Sequence, residues 1–311
     1  MVVRTGRLQT SDVVLAHLTG KRADVKGLIF QVALLMSLLL ALLFLIVLMA
    51  DVLISALPVF QERGVQSFLE GRLSGFPDRA GVSQALYGSA MLMLFVILFA
   101  FPLGVAAAIY LEEYATDTRF NRFITVNIRN LAGVPSVVFG LLGLAIFVGT
   151  LGSITGGSSL IAGGLTLAVL VLPIVIITSS EALRAVPQSI REAGFGVGAT
   201  KWEVIRSHVL PSAAPGIFTG TILAVSRAIG EAAPILLVGA VGGLLGSAQG
   251  NFLEQLQDRF TAMPIVIFEW TKEANPEFKA LASAGIVVLM VIILLTNATA
   301  IFLRNRYERK W

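Results

Sequence analysis

Two charged residues stand inside an otherwise apolar run of this chain. Arg227 and Glu231 lie four residues apart in the segment SRAIGEAAP, which has apolar residues on both sides. On a helix this spacing places both side chains on one face, about one turn apart. Charged side chains within an apolar span usually face a bundle interior or a water-filled path. Two roles fit equally well: a structural ion pair, or a site where the guanidinium of Arg227 binds a tetrahedral oxyanion in passage.

The polar segment just before this run has the pattern of short amphipathic helices. Apolar or small residues recur every three to five positions at Ile190, Ala193, Val197, Trp202, Ile205 and Val209. Glycines at 194, 196 and 198 weaken a continuous helix, so we expect two short helices with a break near Gly198. Pro211 is expected to end the second helix. By pattern alone, such an element is most typical of a helix on a membrane surface.

Several kinds of chemistry lack the residues they need. The chain has no Cys and only two His, which excludes disulfides, thiolate metal sites and Cys nucleophiles and makes a His-based metal cluster improbable. The glycines at 194, 196 and 198 follow an apolar helical span rather than a strand, and no GxxxxGK[ST] sequence occurs. We therefore expect no cofactor, metal or nucleotide bound by this chain. If the chain is part of an ATP-driven system, ATP and its magnesium would be bound by another polypeptide.

The composition indicates a polytopic membrane protein. Of 311 residues, 56% are hydrophobic and 14% are charged, whereas a soluble domain carries about 25% charged residues. The predicted fold class is all-α integral membrane with six transmembrane helices, because apolar runs of this length are helical in lipid. The predicted spans are 28–50, 85–111, 128–151, 160–180, 215–243 and 282–303. Gly216 with Gly220, and Gly239 with Gly243, have GxxxG spacing, which favours close helix contacts.

The distribution of basic residues predicts the orientation. Sixteen of the 23 Lys and Arg residues fall in segments 1–27, 112–129, 181–214 and 304–311. Basic residues are retained on the cytoplasmic side of a membrane. We therefore predict that both termini lie in the cytoplasm and that membrane lipid surrounds residues 28–303. Glu112 and Glu113 are expected only to mark the cytoplasmic boundary of the second span. The net charge of +4 is explained by these loops and gives no reason to expect nucleic-acid binding.

The polar segment resembles a known coupling loop. It is similar to the EAA loop of ABC-importer permeases, and the matching residues are Glu192, Ala193, Gly194, Gly198, Leu210 and Pro211. Two residues depart from the EAA pattern: Gly194 replaces its second Ala, and His208 replaces an aliphatic residue. The resemblance implies a type I importer architecture. It also implies that segment 188–211 docks on a cytoplasmic ATPase and transmits its motion to the membrane helices.

Further motifs resemble a narrower group within that class. The chain is similar to the permease subunits of the bacterial high-affinity phosphate importer in three motifs: RAIGE followed by AP, GVPS at 133–136, and LRNRY at 303–307. It resembles the A-type permease subunit more than the C-type subunit. The resemblance implies that Arg227 and Glu231 serve phosphate passage, with the adjacent Ser226 as a third candidate. It also implies a C-type permease, two ATPase copies and an extracytoplasmic phosphate-binding protein as partners in the bacterial inner membrane.

Other functions stay open on the sequence alone. A permease for another oxyanion, such as sulfate or molybdate, fits the same motifs. An intramembrane serine hydrolase would have Ser136, Ser179, Ser180 and Ser226 to use, yet no His lies in a predicted span to act as its base. A scaffold or signalling subunit would be recognised if loss of Arg227 abolished a regulatory output and left transport intact.

Overall fold

The computed structural model describes residues 25–243 and 251–307, and in these ranges the regular secondary structure is helical throughout. The predicted segment 1–27 lies outside the described residues except for its last three, as do the last four residues of the predicted tail 304–311. The α-helices are α1 (Val25–Arg63), α2 (Val65–Glu70), α3 (Ser83–Ile109), α4 (Arg119–Ala132), α5 (Ser136–Gly143), α6 (Gly152–Thr155), α7 (Leu160–Arg184), α8 (Gln188–Gly196), α9 (Lys201–Val204), α10 (Leu210–Ile229), α11 (Ala233–Val238), α12 (Phe252–Gln257), α13 (Met263–Lys272) and α14 (Pro276–Tyr307).

Five helical stretches are long and apolar enough to cross a membrane. They are Val25–Arg63, Ser83–Tyr114, Leu160–Arg184, Lys201–Ile229 and Pro276–Arg306. A sixth is counted if α4 and the helical stretch Ser136–Thr150 are taken together as one bent span. The described residues therefore have the all-helical membrane architecture that the composition predicts.

The chain divides into two compact units, residues 1–51 and 52–311. The described part of the first unit is the beginning of α1. Its side chains from Val25 to Asp51 are exposed at every position except Gly27 and Met49, although nearly all are apolar. Such a helix is stable in lipid and not in water, because its apolar surface has no other cover.

The core of the second unit is formed by α3, α7 and α10. Buried aliphatic residues from the three helices pack together, among them Val96, Val171 and Val225. Small residues bring α10 close to α7: a methyl group added at Gly216 would lie 2.8 Å from the Ala182 side chain, and one at Gly220 would overlap Thr178. The close-contact role of this first GxxxG pair is confirmed.

The second GxxxG prediction is wrong. Helix α11 ends at Val238, and Gly239 has φ +105°, a left-handed conformation that glycine adopts without strain. Gly243 lies beyond the helix, and a methyl group added there would meet no atom of the described residues within 4 Å. The two glycines therefore do not share a helix face.

The prediction of one helix over 128–151 is also wrong. Helices α4 and α5 meet at 102° across a break at 133–135. Pro135 has no N–H to continue the helical bonding, and it disfavours helical geometry at Val134. Helix α4 presents Phe120 and Phe123 as exposed side chains, so it is an amphipathic helix before the bend rather than part of a straight span.

The predicted span 215–243 likewise has different bounds. Helix α10 begins at Leu210 and ends at Ile229, and the short helix α11 follows after residues 230–232. Towards the N-terminus, α9 continues through a π-helical turn, Ile205–Val209, directly into α10. Pro211 therefore does not end the helix. The Leu210 N–H already bonds five residues back, to the Ile205 carbonyl, and this wider turn accommodates the proline that follows.

Candidate functional site

Arg227 and Glu231 form a loose ion pair at a helix break. Arg227 lies in the last turn of α10, and Glu231 lies in the non-helical residues before α11. The Arg227 Nε and Glu231 Oε1 atoms are 3.4 Å apart, and the two side chains are 51% and 17% exposed. Since charge-assisted bonds usually measure about 2.7–2.9 Å, this pair is weak. Among the described residues, the terminal guanidinium nitrogens of Arg227 have no hydrogen-bond partner.

Ser226 has a different environment from Arg227. Its hydroxyl donates to the Asn297 Oδ1 atom at 2.7 Å, which joins α10 to α14. The residue is 8% exposed. Its hydroxyl is thus occupied in a helix–helix contact, and its part in a substrate path stays a prediction.

Helix α11, which follows the break after α10, packs against α5, which follows the break after α4. A methyl group added at Gly140 of α5 would lie 2.7 Å from the Pro234 α-carbon of α11. Two interrupted apolar segments, with their non-helical residues at 133–135 and 230–232, are therefore neighbours in space. Discontinuous helices with a charged group at the break are typical of transporter substrate sites.

The segment 188–211 folds as two helices that pack closely on each other. Helix α8 ends at Gly196, Gly198 turns the chain with φ +85°, and the Thr200–Glu203 capping box begins α9. We name α8, α9 and the residues between them the coupling element. Gly194 is buried where α8 meets α9, and a methyl group there would lie 2.7 Å from the Val204 Cγ2 atom. This contact explains why glycine replaces the second Ala of the EAA pattern.

The apolar residues that recur every three to five positions in segment 188–211 divide between a buried surface and an exposed one. Ile205 and Val209 are buried, and Val209 packs with Leu183, Ala108 and neighbouring residues beneath the coupling element. Val197 is 84% exposed and Trp202 54% exposed. The other predicted coupling residues differ in burial: Glu192, Ala193, Gly198 and Pro211 are exposed and Leu210 is half-buried. The outer surface therefore presents apolar side chains at the turn between the helices.

Two residues that were predicted only to mark the membrane boundary form ion pairs, one with the end of α7 and the other with the coupling element. Glu112 accepts two hydrogen bonds from Arg184, and Glu113 accepts from Arg191 of α8. The partners are more than seventy residues apart in sequence, so no local pattern could have paired them.

Replacing Gly194 with Ala tests the contact between the two coupling helices. We expect Gly194→Ala to lower the free energy of unfolding by about 1–2 kcal/mol, because overpacking costs about 1–3 kcal/mol and the better helix propensity of Ala offsets part of that. The added change Val204→Ala should restore stability by making room. The measurement is thermal unfolding of the purified chain in detergent.

Gly196→Ala is the matched control, since a methyl group there meets no atom within 4 Å. It should leave stability unchanged or raise it. Equal stability of the Gly194→Ala and Gly196→Ala variants would contradict the close contact.

Comparison with known proteins decides the family. The family model described as "Binding-protein-dependent transport system inner membrane component" matches residues 100–309. The chain belongs to this family. It is therefore an inner-membrane component of a transport system, and the interpretation as a permease subunit rather than an enzyme is confirmed.

Named relatives of this transport component cover most of its length. The phosphate transport system permease protein PstA 1 of Mycobacterium tuberculosis (strain ATCC 25618 / H37Rv) is 35% identical over 234 residues, covering 74% of this chain and 72% of the relative. The probable ABC transporter permease protein YqgI of Bacillus subtilis (strain 168) is 31% identical over 256 residues, covering 78% and 84%.

Solved structures agree on the fold of this transport component. A chain of the bacterial alginate ABC transporter, crystallised with an alginate pentasaccharide-bound periplasmic protein, matches with a TM-score of 0.65 and 14% identity, covering 92% of this chain and 96% of that one. A chain of the inward-facing MetNI methionine ABC transporter matches with a TM-score of 0.57 and 18% identity, covering 74% and 95%. The predicted ABC-importer permease fold is confirmed.

Proposed function

We propose that this chain is the permease subunit of an ATP-driven importer of inorganic phosphate. The observation that carries the proposal is Arg227, whose terminal guanidinium nitrogens are unpaired among the described residues and whose partner Glu231 is 3.4 Å away. A guanidinium held so loosely is available to form a bidentate pair with a tetrahedral oxyanion. The relative from Mycobacterium tuberculosis, named a phosphate permease, supports the choice of anion.

The carboxylate of Glu231 favours phosphate over sulfate or molybdate. At neutral pH phosphate carries at least one proton, whereas sulfate and molybdate carry none. An ionised carboxylate can only accept hydrogen bonds, so Glu231 would accept from a P–OH group and repel a fully ionised anion. The same residue therefore neutralises Arg227 at rest and discriminates among anions during passage.

The helix geometry supports a mechanical link between the coupling element and Arg227. The stretch from Lys201 to Ile229 is one helix. Pro211 and Arg227 are sixteen residues apart in it, about 24 Å at the helical rise of 1.5 Å per residue. When an ATPase moves the coupling element, this helix would carry the displacement to the break at 230–232 and open the Arg227 region to alternate sides.

The proposed assembly follows from this role. The chain would pair with a C-type permease, rest on two copies of a cytoplasmic ATPase, and receive phosphate from an extracytoplasmic binding protein. Both termini would lie in the cytoplasm, as the basic residues indicate. Purifying the tagged chain from membranes and identifying what accompanies it tests the assembly. Recovery without an ATPase and a second permease would contradict the importer as a whole.

Competition for uptake tests the anion. In membrane vesicles that contain the assembled transporter and its binding protein, unlabelled phosphate should suppress uptake of labelled phosphate. Sulfate and molybdate at the same concentration should leave it unchanged. Preferred uptake of either competitor would support the runner-up, a permease for another oxyanion.

A charge at the tip of the coupling element tests its docking on the ATPase. Val197 is 84% exposed between the two coupling helices, and an apolar side chain there fits a cleft on a partner. We expect Val197→Asp to reduce co-purification of the ATPase by about tenfold or more, since burying an unpaired charge costs well over the 1.4 kcal/mol that a factor of ten requires.

Thr118→Asp adds the same charge elsewhere and is the control. Thr118 is the exposed N-cap of α4, where Asp caps equally well. This variant should keep the normal amount of ATPase. Equal ATPase recovery with both variants would mean that the tip does not dock.

A further inference from the structure

The helical extension of α3 is held by two arginines. Helix α3 ends in a π-helical turn, Tyr110–Tyr114, with the sequence YLEEY. Arg184 donates to the two Glu112 carboxylate oxygens at 2.6 and 2.8 Å. Arg191 donates to Glu113 Oε1 at 2.7 and 3.2 Å. The Arg184 guanidinium thus binds both oxygens of Glu112 in a fork, the strongest form of side-chain ion pair. The two Arg191 donors converge on Glu113 Oε1, and Oε2 lies 3.4 Å from Nε.

The pair of Glu113 and Arg191 is also the more enclosed of the two. Their side chains are 8% and 13% exposed, whereas Arg184 is 53% exposed. Arg191 donates further to the Leu183 and Val186 carbonyls, at 2.9 and 2.8 Å, where α7 ends. One guanidinium thus joins α8, the end of α7 and the end of α3.

The second coupling helix reaches the same turn. The Lys201 Nζ atom lies 5.0 Å from the centre of the Tyr114 ring, within the range of a cation–π contact. A cavity of about 590 Å³ lies among these groups, lined by both carboxylates, both arginines, Phe195 and Lys201. Apolar packing beneath the coupling element includes Ala108 and Ile109. Beyond Ile109, the extension of α3 contacts the coupling element through the ion pair of Glu113 with Arg191 and the cation–π contact of Lys201 with Tyr114.

The connectivity of the chain determines which helices need noncovalent contacts to move with the coupling element. Helices α7 and α10 are joined to the coupling element by the chain itself, so they follow any displacement of it. Helix α3 belongs to a distant part of the sequence and reaches the element through noncovalent contacts. Removing the charge of Glu113 leaves Arg191 bonded to the Leu183 and Val186 carbonyls, so the ion pair that joins α8 to the end of α3 is lost.

We propose that Glu113 and Arg191 are positioning residues that make the cytoplasmic end of α3 move with the coupling element as one body. The proposal rests on the proposed function of the chain as an ATP-driven permease. In this role the pair does not contact the transported anion. It transmits the motion of the ATPase to a helix that the chain does not connect to the coupling element.

Spin labels on introduced cysteines measure directly whether α8 and the end of α3 move together. The chain contains no Cys of its own, so the labels attach only at the chosen positions. Thr116→Cys and Ser189→Cys place labels at exposed positions after α3 and on α8. In the assembled complex we expect the distance between the labels to be the same with and without ATP. Adding Glu113→Gln should change or broaden that distance when ATP binds.

Transport coupling is the second measurement. In proteoliposomes with the ATPase and binding protein, Glu113→Gln should reduce the phosphate moved per ATP hydrolysed by about tenfold, the effect of losing roughly 1.4 kcal/mol of coupling. ATP hydrolysis itself should continue. Glu113→Asp, which keeps the charge, should recover part of the loss. Glu112→Gln, whose partner Arg184 is open to solvent, should stay within about twofold of the wild type.

Two results would overturn the proposal. One is a label distance that changes on ATP binding in the wild type, and the other is a Glu113→Gln variant with wild-type distance and coupling. If Glu113→Gln fails to assemble, the label distances of the wild-type complex with and without ATP still test the proposal. A wild-type complex that hydrolyses ATP but moves another anion would refute the phosphate assignment only, since the label distances do not depend on the anion. A chain recovered with no ATPase would refute both.

Discussion

Arg227→Ala is expected to lower phosphate uptake by about 100-fold or more. A forked guanidinium makes two hydrogen bonds to an oxyanion, each worth about 1.5–3 kcal/mol, and each 1.4 kcal/mol is a factor of ten. Arg227→Lys keeps the charge without the planar fork and should retain intermediate uptake. The measurement is uptake of labelled phosphate by vesicles that contain the assembled transporter, normalised to the amount of chain in the membrane.

Ser226→Ala is the neighbouring control. It removes the hydrogen bond to Asn297 and should cost about 1 kcal/mol of stability. Reduced uptake per assembled complex would place Ser226 in the substrate path, and normal uptake would leave it a helix–helix contact. Normal phosphate uptake by Arg227→Ala, together with loss of a regulatory output, would instead favour a signalling subunit.

Glu231→Gln is expected to reduce the preference for phosphate over sulfate by about tenfold or more. The amide can donate as well as accept, so the variant no longer repels an anion without a proton. Loss of one bond to a charged group is worth about 1.5–3 kcal/mol, which sets the scale of the change. Uptake of labelled phosphate and labelled sulfate by the same vesicles gives the ratio directly.

Glu231→Asp keeps the carboxylate and should keep the sign of the preference. A Glu231→Gln variant with an unchanged ratio of phosphate to sulfate uptake would contradict the discriminating role. In that case Glu231 would act only as the partner of Arg227, which is the structural ion pair that the sequence left open.

Prediction of the membrane helices succeeded because its signal is local. A span needs about 20 apolar residues, and the chain supplies such runs whatever lies around them. Helices α7 and α14 each contain a predicted span and extend a few residues beyond it, as does α3 when its π-helical turn to Tyr114 is included. The ends differ because charged residues such as Arg184 continue a helix out of the apolar run.

The helix interruptions were harder to predict. A proline in an apolar run can kink a helix, break it or be accommodated, and the surrounding backbone decides which. At Pro135 the helix breaks and the chain bends by 102°. At Pro211 the helix continues, because the π-helical turn before it accommodates the proline. Whether a helix breaks at a proline depends on the hydrogen bonds between backbone groups around it. The pattern of side chains in the sequence carries little information about those bonds.

The sequence by itself determined the class of molecule: its apolar runs, its basic loops, the EAA-like coupling segment and the charged pair Arg227 and Glu231. Only the tertiary structure decided what those residues touch. It put Glu231 beyond the end of α10, Ser226 against Asn297, and Glu113 on Arg191. The physical reason is range: hydropathy and spacing act between neighbours in the chain, whereas these contacts join residues as much as 78 positions apart.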